Sequence, residues 1–295
     1  MEILIEIGTN EQKGWIEEEL GFIDIALRQA QRPIPLKQII VSSDLEATIN
    51  RLEGVTTYQS RRNLGENDLV VLGKIVAVKD GFAIVLSQHL YTDAHDTLTR
   101  LRFILHELFH MVNKRDFPNI ATTPYTTGFY SYYLYHLYDE YASDRFAYSM
   151  TEMLPLKSDL AEADLIRTAK GYIDVMCDPH CYNHIKKEIS EFRNHADTNK
   201  FHNNINQHYD DMATCLIHAF ALLDSYPDKM SLNDLSKSPF VNDKTLALID
   251  YFRKKESQHD TNLDDGMDLI IKFMENFGMR WEEIASGPYI HVLDI

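Results

Sequence analysis

Two histidines four residues apart, with a glutamate directly after the first, constrain this chain more than any other stretch: His106-Glu107-Leu108-Phe109-His110. A helix stacks residues four apart on one face, so the pentapeptide calls for a helix. The two imidazoles it presents can bind one zinc ion at about 2.0 to 2.1 Å from each ring nitrogen. Glu107 then lies beside the metal without ligating it, placed to take a proton from a water that the metal polarises. The flanking pattern predicts the helix. Leu98, Leu101, Leu105, Leu108 and Val112 form an apolar stripe with Ile104 and Phe109 beside it, Asp96 or Thr97 can cap its start, and Lys114, Arg115 and Pro118 end it. Two histidines merely packed in a core helix would leave the company of Glu107 unexplained.

A zinc ion that activates water needs a third protein ligand and one open position. Downstream, Tyr138-Asp139-Glu140-Tyr141-Ala142-Ser143-Asp144 lies in a stretch that is helical by pattern and ends before Pro155. Glu140 and Asp144 are one turn apart, so Glu140 can ligate the metal while Asp144 accepts the second ring N–H of a ligating histidine and fixes its tautomer. The same acidic spacing recurs at Glu256 and Asp260, but there it belongs to the solvated charge run Arg253-Lys254-Lys255-Glu256-Ser257-Gln258-His259-Asp260. Glu140 is the better candidate.

With both segments in view, Arg102-Phe103-Ile104-Leu105-His106-Glu107-Leu108-Phe109-His110, then Glu140 to Ala147 and Met153-Leu154-Pro155, the chain resembles the ImmA/IrrE-type metallopeptidases. It also looks like the wider gluzincin group, which takes a glutamate from a second helix as third ligand. The resemblance implies His106, His110 and Glu140 as zinc ligands, Glu107 as general base and Asp144 as the acid behind a ligating histidine. It spans about a quarter of the chain, roughly residues 82 to 155. Two positions depart from the pattern. Phe109 stands where many relatives have glycine, which can crowd the helix crossing near the metal, and Asp144 stands where ImmA-like proteins often have asparagine.

The preceding sequence fits an α+β chain whose zincin-like metallopeptidase core is a small mixed sheet with an edge strand plus two catalytic helices, followed by a helical C-terminal region. Met1 to Gly8 and Leu36 to Ser42 read as strands and Gln12 to Gln31 as a helix. Asp68 to Val78 and Phe82 to Ser87 read as strands joined by the Lys79-Asp80-Gly81 hairpin turn. In zincins an edge strand upstream of the zinc helix pairs with extended substrate, and Phe82 to Ser87 is the candidate, with an ordinary core strand the competing reading. The expected organisation is a catalytic domain over residues 1–155, with an N-terminal α/β layer over 1–90 and the zinc helices over 91–155, then a helical region over 156–295. In that region helices are expected near Leu160 to Met176, Ile185 to His195, Ile205 to Leu223, Asp243 to Lys255 and Leu263 to Phe277, with helical pattern to about Gly287 and a polar loop from His195 to Asn206.

Several groups around the motif carry chemistry of their own. Tyr125, Tyr130, Tyr132, Tyr133, Tyr135, Tyr138, Tyr141 and Tyr148 make up half of the 16 tyrosines and bracket Glu140. Most are expected as packing residues; one of them, or His95, can polarise a scissile carbonyl. His136, one turn before Glu140, can face the metal as another ligand or pack behind it. Cys177, His180, Cys181 and His184 offer soft ligands, yet closed zinc sites draw their ligand pairs from two separated elements, and this stretch reads as a loop into the next helix.

A formal charge of −16 argues against nucleic acid as the main partner, because phosphate binding relies on clustered lysine and arginine. Three cysteines form no disulfide framework, and no signal-peptide pattern or membrane-length apolar run is present, so a cytoplasmic protein with no membrane partner is expected. These features predict a zinc-dependent metallopeptidase acting on a protein or peptide substrate. The family resemblance implies a regulatory protein such as a repressor. The alternative is a zincin-fold sensor that keeps zinc and acts by contact. The sequence leaves the oligomeric state open.

Overall fold

The computed structural model describes residues 2–5, 10–29, 36–56, 58, 61–64, 67–70, 72–91, 96–116, 129–153, 162–235, 238–260, 262–284 and 287–293, in places for the backbone alone. The chain is α+β, mostly helical with a small sheet. It divides into two compact units, Met1–Asp116 with Ser143–Asp159 and Phe117–Ala142 with Leu160–Ile295.

The first unit is built on a four-stranded sheet. Strand β1 (Glu2–Ile5) leads through α1 (Asn10–Gln29) to β2 (Leu36–Ser42), and α2 (Leu45–Glu53) follows. A separate hairpin, β3 (Arg61–Leu64) with β4 (Asn67–Val70), precedes β5 (Gly73–Val78) and β6 (Gly81–Ser87). The sheet order is β1-β2-β6-β5; the first three strands are parallel and β5 runs antiparallel to β6. Alternation along the strands sorts side chains to two faces. Ile39, Val41, Ile75, Ile84 and Leu86 pack with α1 and with α3 (Thr97–Asp116), while Ile40, Val76 and Val85 pack against Leu45 and Ile49 of α2.

This order corrects two strand expectations. Phe82 to Ser87 is not an edge: β6 lies between β2 and β5, and its unbroken apolar run Ala83 to Leu86 is fully buried because both faces are covered. The edge beside it is β5. The single strand expected from Asp68 to Val78 is two strands in two different sheets. The Lys79-Asp80-Gly81 turn does close the β5–β6 hairpin, with Asp80 at φ 63°.

Helix α3 starts where Asp96 accepts the Thr99 N–H at 2.7 Å. Its first turns are tied to α1 by the buried pair Arg100–Glu19, with the guanidinium also over the Trp15 and Tyr91 rings. Helix α4 (Phe129–Met153) runs unbroken for 25 residues and gives its second half to this unit.

The second unit takes the first half of α4 with α5 (Glu162–Lys170), a π-helical stretch Gly171–Tyr182, α6 (Asn183–His195), α7 (Thr198–Ser225), α8 (Asp243–Gln258), α9 (Met267–Met274) and the hairpin β7 (Met279–Ile284) with β8 (Gly287–Val292). Tyr209 of α7 stacks on Phe129 and meets Tyr133 and Phe277 edge-to-face in its core. Asp224 accepts from the Tyr141 hydroxyl at 2.8 Å and takes a bidentate pair from Nε and Nη2 of Arg253, whose Nη1 donates to Asp250.

Three expectations for this region are corrected. The polar stretch from His195 to Asn206 is helix from Thr198 onward: Ala196 breaks the chain at φ 52°, Asp197 caps the new helix by accepting the Lys200 N–H, and Phe201 and Ile205 face the core one turn apart. The stretch around Cys181 is helical rather than a loop. The chain leaves helix at Gly278, which adopts φ 82°, and ends as the β7–β8 hairpin. Among the described residues, no helix is long and apolar enough to cross a membrane.

Candidate metal centre

Helix α3 packs its apolar stripe on the sheet, with Leu101, Leu105 and Leu108 essentially unexposed. This rotation sets where the histidines point. His106 and His110 meet at a ring-centroid distance of 4.5 Å with nearly perpendicular planes, and their Nε2 atoms face each other 2.9 Å apart. Each ring is held from its other nitrogen by α4. His106 Nδ1 is 2.7 Å from Asp144 Oδ1, and His110 Nδ1 is 3.1 Å from the buried hydroxyl of Ser143. With Asp144 ionised the carboxylate only accepts, so Nδ1 of His106 would donate to it and leave Nε2 as the nitrogen able to ligate a metal.

Glu140 lies on the same unbroken helix, one turn before Asp144. A carboxylate oxygen of Glu140 and one ring nitrogen from each histidine all lie within 4.8 Å of one another. Two imidazole nitrogens and one carboxylate oxygen form the donor set of a catalytic zinc site, in which neighbouring ligand atoms stand about 3.3 Å apart around an ion 2.0 to 2.1 Å away. The residues present therefore fit a metal ion, and among the described residues this is the one group of three that gathers so.

Glu107 follows His106 directly and is buried to 9% exposure. Its neighbour across the sheet is Gly73, the first residue of β5: a Cβ placed there would stand 4.0 Å from Glu107 Cγ and 3.1 Å from a methyl of Leu86. The tight neighbour is the Leu86 methyl, which a side chain at Gly73 would have to displace by a few tenths of an ångström, while Glu107 lies at ordinary contact distance.

Phe109, one of the two positions at which the resemblance breaks down, packs between the two helices. Its ring stacks on Phe146 of α4 at 4.5 Å, so the bulk is taken up as packing between the helices, and the histidines still converge. Arg102 lies over the Tyr148 ring and reaches Thr151. Tyr133, Tyr135, Tyr138, Tyr141 and Tyr148 are buried, as expected of packing residues, whereas Tyr132 is half-buried and stacks on His136.

His136 is outside the gathered group. Its Nδ1 is 3.8 Å from Glu140 Oε1 and its Nε2 is 3.5 Å from Asp210 Oδ1. Burial works against its protonated form, but Asp210, Glu140 and Asp139 outweigh that and push its pKa up to about 9. His95 and Tyr125 lie outside the described residues, as do the side chains of Cys177 and His180. Of the remaining soft ligands, Cys181 is buried, its thiol pushed up to about 12 by desolvation and Asp211, and His184 Nε2 faces the Asn204 carbonyl at 3.1 Å. A thiol held protonated is a poor metal ligand. The second acidic pair is engaged elsewhere, since Asp260 accepts from the Lys255 ammonium at 2.7 Å.

Two residues at the site carried no signal in the sequence. Ser143 behind His110 sits in a helix where serine has no distinguishing pattern, and His218 Nε2, 3.8 Å from Glu140 Oε2, comes from α7. Comparison of the chain with models of known protein families, with curated proteins and with solved structures finds no match.

Proposed function

We propose that the chain is a zinc-dependent peptidase with a zincin-like core. The observation that carries this reading is the donor set itself: two histidines from α3 and a glutamate from α4 gathered within 4.8 Å, with Glu107 one residue from the first ligand. A zinc ion held by His106, His110 and Glu140 would act as a Lewis acid and lower the pKa of a bound water to about 7. The protein's own groups do the rest. Glu107 takes the proton of the attacking water and hands it to the leaving amine. Asp144 and Ser143 hold the two imidazoles in place.

Strand β5 provides the docking edge. Among the described residues no strand pairs with its outer side, and it begins at Gly73 beside Glu107. An extended peptide can add to such an edge through main-chain hydrogen bonds, which give affinity with little dependence on side chains. A protein substrate with an exposed extended segment fits this arrangement, and the resemblance to ImmA/IrrE-type enzymes supports a regulatory protein such as a repressor.

The test is to incubate the zinc-loaded chain with a diverse peptide mixture and identify new termini by mass spectrometry. Wild type is expected to cleave, and Glu107→Gln, which keeps the shape but not the base, to lose about 10²- to 10⁴-fold in rate while retaining zinc. A Gln variant that cleaves as well as wild type would contradict the assignment of Glu107. A zinc-loaded wild type that cleaves nothing in the mixture would favour the sensor alternative.

A further inference from the structure

We propose that His218 is a positioning residue for the metal centre, fixing the Glu140 carboxylate in its ligating orientation. The proposal rests on the reading of Glu140 as a metal ligand and adds a residue that no motif contains. His218 Nε2 is 3.8 Å from Glu140 Oε2, and His136 Nδ1 is 3.8 Å from Glu140 Oε1. The two carboxylate oxygens thus face two different imidazoles. His218 is itself steadied by the Tyr172 ring at 5.4 Å, and its side chain is 18% exposed.

The two imidazoles do different work. His136 shares a helix with Glu140 and also faces Asp210, so it follows whatever α4 does. His218 comes from α7 and approaches from a separate element, which makes it the group able to fix the direction of the carboxylate. It is outside the set of three that gathers to hold an ion, so it acts through Glu140. A glutamate that ligates a metal through one oxygen is held in orientation by a donor facing the other; the His218 ring nitrogen stands at 3.8 Å, beyond hydrogen-bond length but within ion-pair reach of Oε2, so it orients the carboxylate electrostatically. A glutamate side chain otherwise loses its rotamer freedom only when the metal arrives, which weakens binding.

The experiment compares zinc affinity of the full-length chain, by competition with a chromophoric chelator, in His218→Gln and His218→Met. The two replacements have similar length, and only Gln offers a donor. The Met variant is expected to bind zinc ten- to a hundred-fold more weakly and to change the visible spectrum of the cobalt-substituted protein, with Gln within about threefold of wild type. Thermal unfolding of the metal-free proteins should be alike. Equal zinc affinity in Met, Gln and wild type overturns the proposal, as does equal weakening in Met and Gln. Should the Met variant fail to fold, His218→Ala takes its place with the same criteria. Glu140→Gln separates the two readings: it must lose affinity if Glu140 is a ligand, and if it binds zinc like wild type the metal-centre reading fails rather than the role of His218 alone.

Discussion

Asp144 and Ser143 hold the two histidines from the side away from the facing Nε2 atoms, each through Nδ1. Replacing Asp144 by Asn removes the acceptor that fixes the His106 tautomer, since an amide can present its N–H instead and leave Nε2 protonated. Zinc affinity in Asp144→Asn is expected to fall ten- to a hundred-fold, measured by chelator competition, with the fold intact by circular dichroism. Unchanged affinity would show that the 2.7 Å contact does not set the tautomer. The pairs His106/His110 and Glu140/Asp144 were legible in the sequence because each spacing is local to one helix, where geometry ties residues one turn apart, whereas the pairing of the two helices came from the family resemblance. Ser143 was not, because a serine inside a helix is ordinary until its partner is known. His218 was not either, because no sequence rule links positions on two helices that are far apart along the chain.

The same distinction runs through the secondary structure. Helix α3 was legible from its stripe and cap, and the β5–β6 hairpin from its turn. The place of β6 inside the sheet was not, because strand order depends on pairing between distant segments. The start of α7 was hidden because Asp197, its cap, sits within a polar run that imitates a loop. Where α6 and α7 meet, the His184 and His208 rings stand 4.0 Å apart and Nδ1 of His208 is buried with no hydrogen-bond partner. Burial and the neighbouring His184 lower the His208 pKa from 6.5 to about 4, against a smaller opposing pull from Glu188. Between those values the unfolded chain holds a proton that the folded chain does not, so stability falls as pH drops from 6.5 towards 4. Denaturant titrations across that window should show a shallower loss of stability in His208→Gln than in wild type. Parallel pH profiles would show that His208 contributes nothing to the acid limb.

For the molecule entire, the formal charge of −16 and the helical content say little about chemistry. What bears on the candidate site is the continuous helix α4, which carries Glu140, Ser143 and Asp144 within about one turn. A metal held by both α3 and α4 binds only the folded chain, so zinc should raise the unfolding temperature; at a hundredfold excess over Kd the gain is about 2.7 kcal/mol. The most direct measurement is the zinc content of purified chain by elemental analysis, with the affinity of His106→Ala, His110→Ala and Glu140→Ala beside wild type. The proposed zinc peptidase predicts one zinc per wild-type chain and a loss of stoichiometric metal in each variant. A wild-type chain that holds no zinc when metal is supplied, or three variants that hold it as tightly as wild type, would contradict the assignment of His106, His110 and Glu140 as one metal centre.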